Sequence, residues 1–419
     1  MLGEPAFLPL SSLSLSQSIN AQDGTEKYSC QYISLYKYTP LDKNNLPKLR
    51  SEIHKQWQTL NITGRVYIAE EGINGQILVP EPAINAFKCS FPRLLKNANL
   101  FHGQVKDTSQ IELGKSISAM PFNKLHIRIR DQILYDGFQR GGFNLQESGN
   151  SLLPEQWHQR LKRRNEANDS DTLVLDVRNF YEHEIGRFDG ATRIMVDTYK
   201  STFDAVDEII EKHEKEHDGQ KPKEVMMYCT GGIRCEKVGA YLTQYKGISN
   251  IQKLHGGIIN YMQFLNEQRH AHHQSDHGVQ KFSLFKGKNF VFDQRCVDRF
   301  SESEKVTDDI LGKCFQCGEP CNHHTNCSNV MCHGLVLQCS KCAVAMLGAC
   351  GESCKHEVLK MRSMTIEEQR SYRKVNALKW KPKNPNSASV KFIKIRPASP
   401  ELLQKSEMLD VRSLGPAKK

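Results

Sequence analysis

The chain has 419 residues, of which 38% are hydrophobic and 25% charged, with a formal net charge of +10. That length is too great for one ordinary core and predicts two or three domains; no apolar run approaches the ~20 residues that span a bilayer, so the reading is not a membrane protein. The charge is lopsided: Lys355 to Lys419 holds 16 Lys and Arg against 6 Asp and Glu, which leaves residues 1–354 formally neutral. A basic tail of this kind suits a phosphate backbone through counterion release, and serves equally well as a solvated surface.

Residues 1–27 have no Lys or Arg ahead of their apolar stretch and an early Pro, and read as the flexible leader of a cytoplasmic protein. Residues 28–140 then alternate as strand, helix, strand, strand, helix, strand. CQYISLYKYTP is rich in β-branched and aromatic residues, and Leu46, Leu49, Ile53, Trp57 and Leu60 recur at helical steps of three and four. RVYIAEEGINGQILVP predicts a hairpin joined around Gly72 to Gly75, with Asn74-Gly75 as the turn signal. A short helix around Ala83 to Phe87 precedes the strand LHIRIR. Two strand-helix-strand halves predict a ferredoxin-like α+β sandwich. Lys124, His126, Arg128 and Arg130 alternate onto one face, which meets either a nucleic-acid backbone or plain solvent.

QRGGFNLQESGNSLLP marks a boundary through its Gly, Asn and Ser content. Residues 150–270 follow as an α/β domain with a parallel sheet: a helix around Glu155 to Arg163, the apolar strand TLVLDVR, ATRIMV, a helix from Phe203 to His213, the strand EVMMYC and a helix through Val238 to Tyr245. The His-rich RHAHHQSDH after it reads as a linker.

VMMYCTGGIRCEK carries the chemistry. A strand ends at Tyr228, Cys229 stands at its tip, Thr230, Gly231 and Gly232 permit unusual backbone angles, and a helix begins near Arg234. Loop amides, the helix N-terminus and the Arg234 guanidinium all favour thiolate, which makes Cys229 a nucleophile at neutral pH. Cys235 is either a resolving thiol or a small packing residue.

Nine of the 14 cysteines lie between Cys314 and Cys354: Cys314, Cys317, Cys321, Cys327, Cys332, Cys339, Cys342, Cys350 and Cys354, in a segment (residues 271–358) that also holds His323, His324, His333 and His356. In a reducing compartment such a cluster is a metal site, here zinc in a structural role, with an iron-sulfur cluster as the other four-thiolate option. Nine thiols complete two tetrahedral sites with one left over, and the spacing does not say which share an ion. Phe315, His323 and His324, with Lys379-Trp380-Lys381 in the tail (residues 359–419), offer rings on which unpaired bases stack. No flavin or nicotinamide motif is seen.

The loop resembles the rhodanese superfamily, as do Asp176, Arg178, Glu182, Glu184, Gly190 and Ala191 in LVLDVRNFYEHEIGRFDGATRI. The six residues Cys229 to Arg234 match the loop length of sulfur-handling rhodaneses, one shorter than in the related dual-specificity phosphatases. EEGINGQ, YCTGGIRCEK and CFQCGEPCNHHTNC together are similar to the rhodanese-type tRNA uridine hydroxylases over roughly residues 28–355. The resemblance implies a monooxygenase that uses molecular oxygen to convert the wobble uridine of a tRNA anticodon stem-loop to 5-hydroxyuridine. Cys229 and Arg234 are then catalytic, and Thr230, Gly231, Gly232, Ile233, Cys235 and Arg178 line the substrate. The alternative is a sulfurtransferase acting through a Cys229 persulfide. Oligomeric state is left open.

Overall fold

A computed structural model of the protein describes residues 30–105, 122–138, 141–271, 282–290, 309–332 and 334–380. The leader, most of the His-rich linker, His333, and the tail from Lys381 onward fall outside the described residues.

The first unit runs β1 (Cys30–Tyr38), α1 (Leu46–Thr59), β2 (Thr63–Ala69), β3 (Gly72–Pro80), α2 (Ile84–Cys89), α3 (Pro92–Leu95), β4 (Asn99–Val105) and β5 (Leu125–Ile129). Its sheet order is β4-β1-β3-β2-β5, with β2 and β5 parallel and the other pairs antiparallel. The first four of those strands make the ferredoxin-like arrangement. The fourth ferredoxin strand is therefore NLFHGQV, and LHIRI is a fifth strand added beyond β2. An edge strand interrupted by His102 and Gly103 lacks the apolar alternation that marks LHIRI, which is why the sequence pointed to the wrong segment. One face of the sheet is apolar: Ile33, Leu35, Val66, Ile68, Ile77 and Val79 bury against Ile53 and Trp57 of α1 and Phe87 of α2.

The hairpin also departs from expectation. The chain turns at Glu70-Glu71, and Asn74 and Gly75 lie mid-strand opposite Tyr36 and Leu35 on one side and Tyr67 and Val66 on the other. A turn at Asn74-Gly75 would strip both neighbours of that central pairing. Gly72 takes the positive φ instead, at +139°, where a Cβ would strike the Lys37 carbonyl.

The second unit is a parallel sheet in the order β6-β11-β10-β7-β9, from β6 (Asn150–Leu152), β7 (Thr172–Asp176), β9 (Thr192–Arg193), β10 (Glu224–Tyr228) and β11 (Ile251–Leu254). Helices α4 (Pro154–Glu166), α5 (Phe180–Ile185), α6 (Thr202–Glu216), α7 (Ile233–Lys246) and α8 (Gly257–Ala271) accompany it. Leu175, Val225 and Met227 pack toward Phe203, Val238 and Tyr241, while Val174, Met226 and Tyr228 pack toward Trp157, Tyr261 and Phe188. A sheet covered on both faces explains the unbroken apolar strands. A short β8 (Gly186–Phe188) pairs with β12 (Phe285–Gly287). The described part of the Cys-rich region holds a small hairpin, β13 (His324–Asn326) with β14 (Leu335–Leu337), docked through Leu337 on Ile185 and Phe290. Helices Glu352–Arg362 and Ile366–Trp380 follow. No helix among the described residues is long and apolar enough to cross a membrane.

Candidate active site and thiol clusters

Strand β10, buried along its whole length, ends at Tyr228 and delivers Cys229 at the carboxyl end of the parallel sheet, where open α/β sheets bind ligands. Gly232 closes the loop at φ +97° and starts α7, and its N–H donates to Cys229 Sγ at 3.0 Å. Cys229 has no exposed surface. Burial alone pushes its thiol up, but the Cys235 thiol, the Arg234 guanidinium and the backbone amides of Arg234 and Gly232 outweigh that and hold it down at about 6. At neutral pH the sulfur is an anion. Cys235 is pushed well above its ordinary value by burial and by the hydrogen bond to Cys229, so it stays protonated and serves as a donor.

Arg234 does not float beside the sulfur. Glu182 takes it at two points, 2.7 and 2.9 Å, and Thr230 Oγ1 accepts from the same guanidinium at 3.0 Å. Glu182 also accepts the Asn179 N–H at 3.0 Å, which fixes it at the start of α5. The sequence singled out Glu182 only as a family-matching position; its role as the anchor of Arg234 comes from the fold. Arg178, expected at the substrate, lies elsewhere: it is buried on Asp176 at 2.7 and 2.6 Å and donates to the Gly186 carbonyl. Burial raises the Asp176 carboxyl, yet Arg178 and His183 overcome this and bring it down to about 2. That pair secures the β7 tip beside β10 and does not line the loop.

The polar face of the first sheet covers the loop. Ser34 Oγ would lie 3.1 Å from a Cβ at Gly231, and the Tyr36 hydroxyl 3.0 Å from one at Gly232. Tyr36 donates to Glu236 at 3.3 Å and packs on Ile259, while Tyr38 donates to the Ile233 carbonyl at 3.5 Å. Lys237 of α7, 2% exposed, is held by Asp136 at 2.7 Å, Glu71 at 3.0 Å and the Leu134 carbonyl at 3.0 Å. Sequence reasoning missed Tyr36, Glu71, Asp136 and Lys237. The alternation Tyr32, Ser34, Tyr36, Tyr38 against Ile33 and Leu35 was the available signal.

Eight of the nine clustered cysteines sort into two interleaved sets, Cys314, Cys317, Cys339, Cys342 and Cys327, Cys332, Cys350, Cys354; within each set all sulfurs lie within 4.8 Å of one another. Sulfur separations of 3.7 Å for Cys317–Cys339 and Cys332–Cys350 are far too long for a disulfide, and tetrahedral zinc with bonds of ~2.3 Å sets its sulfurs about that far apart. Each set receives a backbone donor, from Cys339 N–H to Cys314 and from Cys350 N–H to Cys327, both at 3.3 Å. Buried thiols with donors aimed at them fit a thiolate-bound metal. Cys321 stands outside both sets, accepting the His323 N–H at 3.4 Å. His324 is buried edge-on to Phe290 and Tyr181, so the expected stacking of a base on its ring has no room.

The same segments match three family descriptions: UPF0176 acylphosphatase like domain over residues 30–133, Rhodanese-like domain over 158–263, and Rhodanase C-terminal over 286–355. A tRNA uridine(34) hydroxylase of Photorhabdus laumondii is 36% identical over 330 residues, covering 78% of this chain and 81% of that one. One of Enterobacter sp. is 37% identical, covering 81% and 85%, and one of Leptospira interrogans 33% identical, covering 83% of each. Identity at this level over 78–83% of the chain means that it belongs to the tRNA uridine(34) hydroxylase family.

Proposed function

We propose that this protein is a cytoplasmic tRNA uridine 5-hydroxylase, an oxygen-dependent monooxygenase acting on the wobble uridine of the anticodon stem-loop, with Cys229 as nucleophile. The observation that carries the reading is the buried sulfur of Cys229, kept anionic by Arg234, Cys235 and the Gly232 amide at the tip of a parallel strand. Addition of this thiolate to C6 of uracil turns C5 into an enolate carbon, and that carbon reacts with oxygen. One oxygen atom enters the ring; the other leaves as water and needs two electrons. Cys235, hydrogen-bonded to Cys229, is placed to supply them as the pair closes to a disulfide once Cys229 has left the ring. Arg234, held by Glu182 and Thr230, positions the loop and keeps the sulfur anionic, and Thr230, Gly231, Gly232 and Ile233 form the loop that the base must approach.

The two four-cysteine sets would hold zinc, which supplies structural cross-links in a stretch too short to bury a core of its own. The domain division that goes with this reading is a ferredoxin-like unit over 28–140, a rhodanese unit over 150–270 and a metal-bound region over 271–358. A sulfurtransferase reading accounts for the loop alone and leaves the two flanking matched regions without a task.

The test is reconstitution. Purified protein with tRNA in air should add the mass of one oxygen atom to the wobble uridine, and nothing under argon; equal conversion under argon would overturn the oxygen dependence. With 5-fluorouridine at that position a covalent complex should accumulate. A loop peptide heavier by one sulfur atom, with no such complex, would favour the persulfide instead.

A further inference from the structure

Four strands of the first sheet align their polar side chains in rows that begin over the catalytic loop and end in open solvent. One row runs Ser34, Gln76, Arg65, His126; the next runs Tyr36, Asn74, Tyr67, Arg128. Ser34 and Tyr36 lie against Gly231 and Gly232, whereas Arg65, His126 and Arg128 are exposed and Tyr67 is half-buried. Hydrogen bonding carries the β2–β5 ladder one residue further at each end, so Lys124 and Arg130 extend the outer row, both exposed. The Arg130 guanidinium sits over the Tyr67 ring at 5.7 Å. None of the five strands contains an Asp or Glu. Solvent exposure and the low strand propensity of Asp and Glu explain polar residues without carboxylates there, but not the gathering of Arg65, Lys124, Arg128 and Arg130 around an aromatic ring.

We propose that this face is the platform that receives the anticodon loop, with Arg65, Arg128 and Arg130 on phosphates and Tyr67 stacked on a base, so that the target uridine reaches the seam beside Tyr36. The proposal rests on the tRNA reading above and adds to it a surface and a direction. Three strand spacings separate Ser34 from His126, about 14 Å, a distance that a few unstacked nucleotides cover; the neighbouring row is crossed at Asn74, which donates to the Ile133 carbonyl at 3.0 Å. Single-stranded RNA is recognised by cations tracking its backbone and aromatic faces under its bases, and a sheet presenting both is a known way to do it. An acidic polypeptide would match the charge but gives no use for an aromatic ring among the cations.

The experiment is fluorescence anisotropy of the full-length protein with a labelled anticodon stem-loop RNA, repeated over a range of salt. Arg128→Ala/Arg130→Ala should weaken binding about ten-fold or more at low salt and flatten the log–log salt slope by ~0.7 per lost phosphate contact. Tyr67→Ala should weaken it about ten-fold with the slope unchanged. Lys212→Ala, on an exposed helix face of the second unit, is the control and should bind as wild type. Circular dichroism melting verifies that each variant is folded. Wild-type affinity and slope in both test variants would overturn the platform while leaving the substrate reading intact. Displacement of the RNA by polyglutamate at matched charge would overturn it in favour of an acidic protein partner. A wild-type protein that binds no tRNA would overturn both readings.

Discussion

Glu182 and Arg234 meet at two points, 2.7 and 2.9 Å apart, and Glu182 has no exposed surface. The ion pair joins the start of α5 to the first turn of α7, so it fixes the Cys229 loop. Two charges taken from water are tolerable only while each satisfies the other.

Removing one partner should therefore cost more than the contact is worth. Arg234→Gln leaves Glu182 buried and unpaired and is expected to lose about 3–5 kcal/mol in urea unfolding. Arg234→Lys keeps the charge but not the two-point geometry and should fall between that variant and wild type. Equal stability of all three would show that the pair holds nothing.

The thiolate of Cys229 makes stability depend on pH with a definite sign. Its folded value, about 6, lies below its ordinary value of 9.0. Between those values the unfolded chain binds the proton and the folded one does not, so this group stabilises increasingly as pH rises through the window and not at all below 6. Subtracting a Cys229→Ala unfolding curve from that of wild type at each pH isolates the effect. A difference that stays flat across the window would mean the thiol is not ionised.

The interleaved cysteine sets predict two independent metal ions per chain. Cys317→Ser should lose one, Cys332→Ser the other, and Cys321→Ser neither, as read by elemental analysis of the purified proteins. Loss of both ions in either single variant would contradict independent sites, and iron with its visible absorption would replace zinc.

Lys237 ties the two sheets together through Glu71 and Asp136. Lys237→Met should leave Asp136, itself 2% exposed, without its cation and destabilise by ~3–5 kcal/mol. The same variant should become sensitive to proteolysis between the first and second units. Wild-type resistance would mean that the units are held by other contacts.

What the sequence revealed and what it hid divide along a physical line. Cys229, its glycine loop and the parallel strands beneath it were legible because backbone demands and apolar runs are local signals. The thiol-rich segment was legible by composition as a candidate metal site, but not its pairing: the two CxxC motifs, Cys314-Cys317 and Cys339-Cys342, share one set only because the chain between them folds back. Asn74-Gly75 misled because a turn dipeptide is a local preference, and central pairing of β3 with both β1 and β2 overrides it. Glu182, Tyr36 and Lys237 act through residues 48 or more positions away, Thr230 and Arg234 for Glu182 and Glu71 for Lys237 among them, and no spacing rule links such positions.

Hydroxylation of the wobble uridine by way of the Cys229 thiolate is tested by nucleoside mass spectrometry of tRNA from cells lacking this protein, complemented with either the wild type or Cys229→Ser. 5-Hydroxyuridine and its derivatives should disappear in the deletion, return with the wild type and stay absent with Cys229→Ser. Full restoration by Cys229→Ser would contradict the nucleophile, and an unchanged level in the deletion would contradict the activity itself.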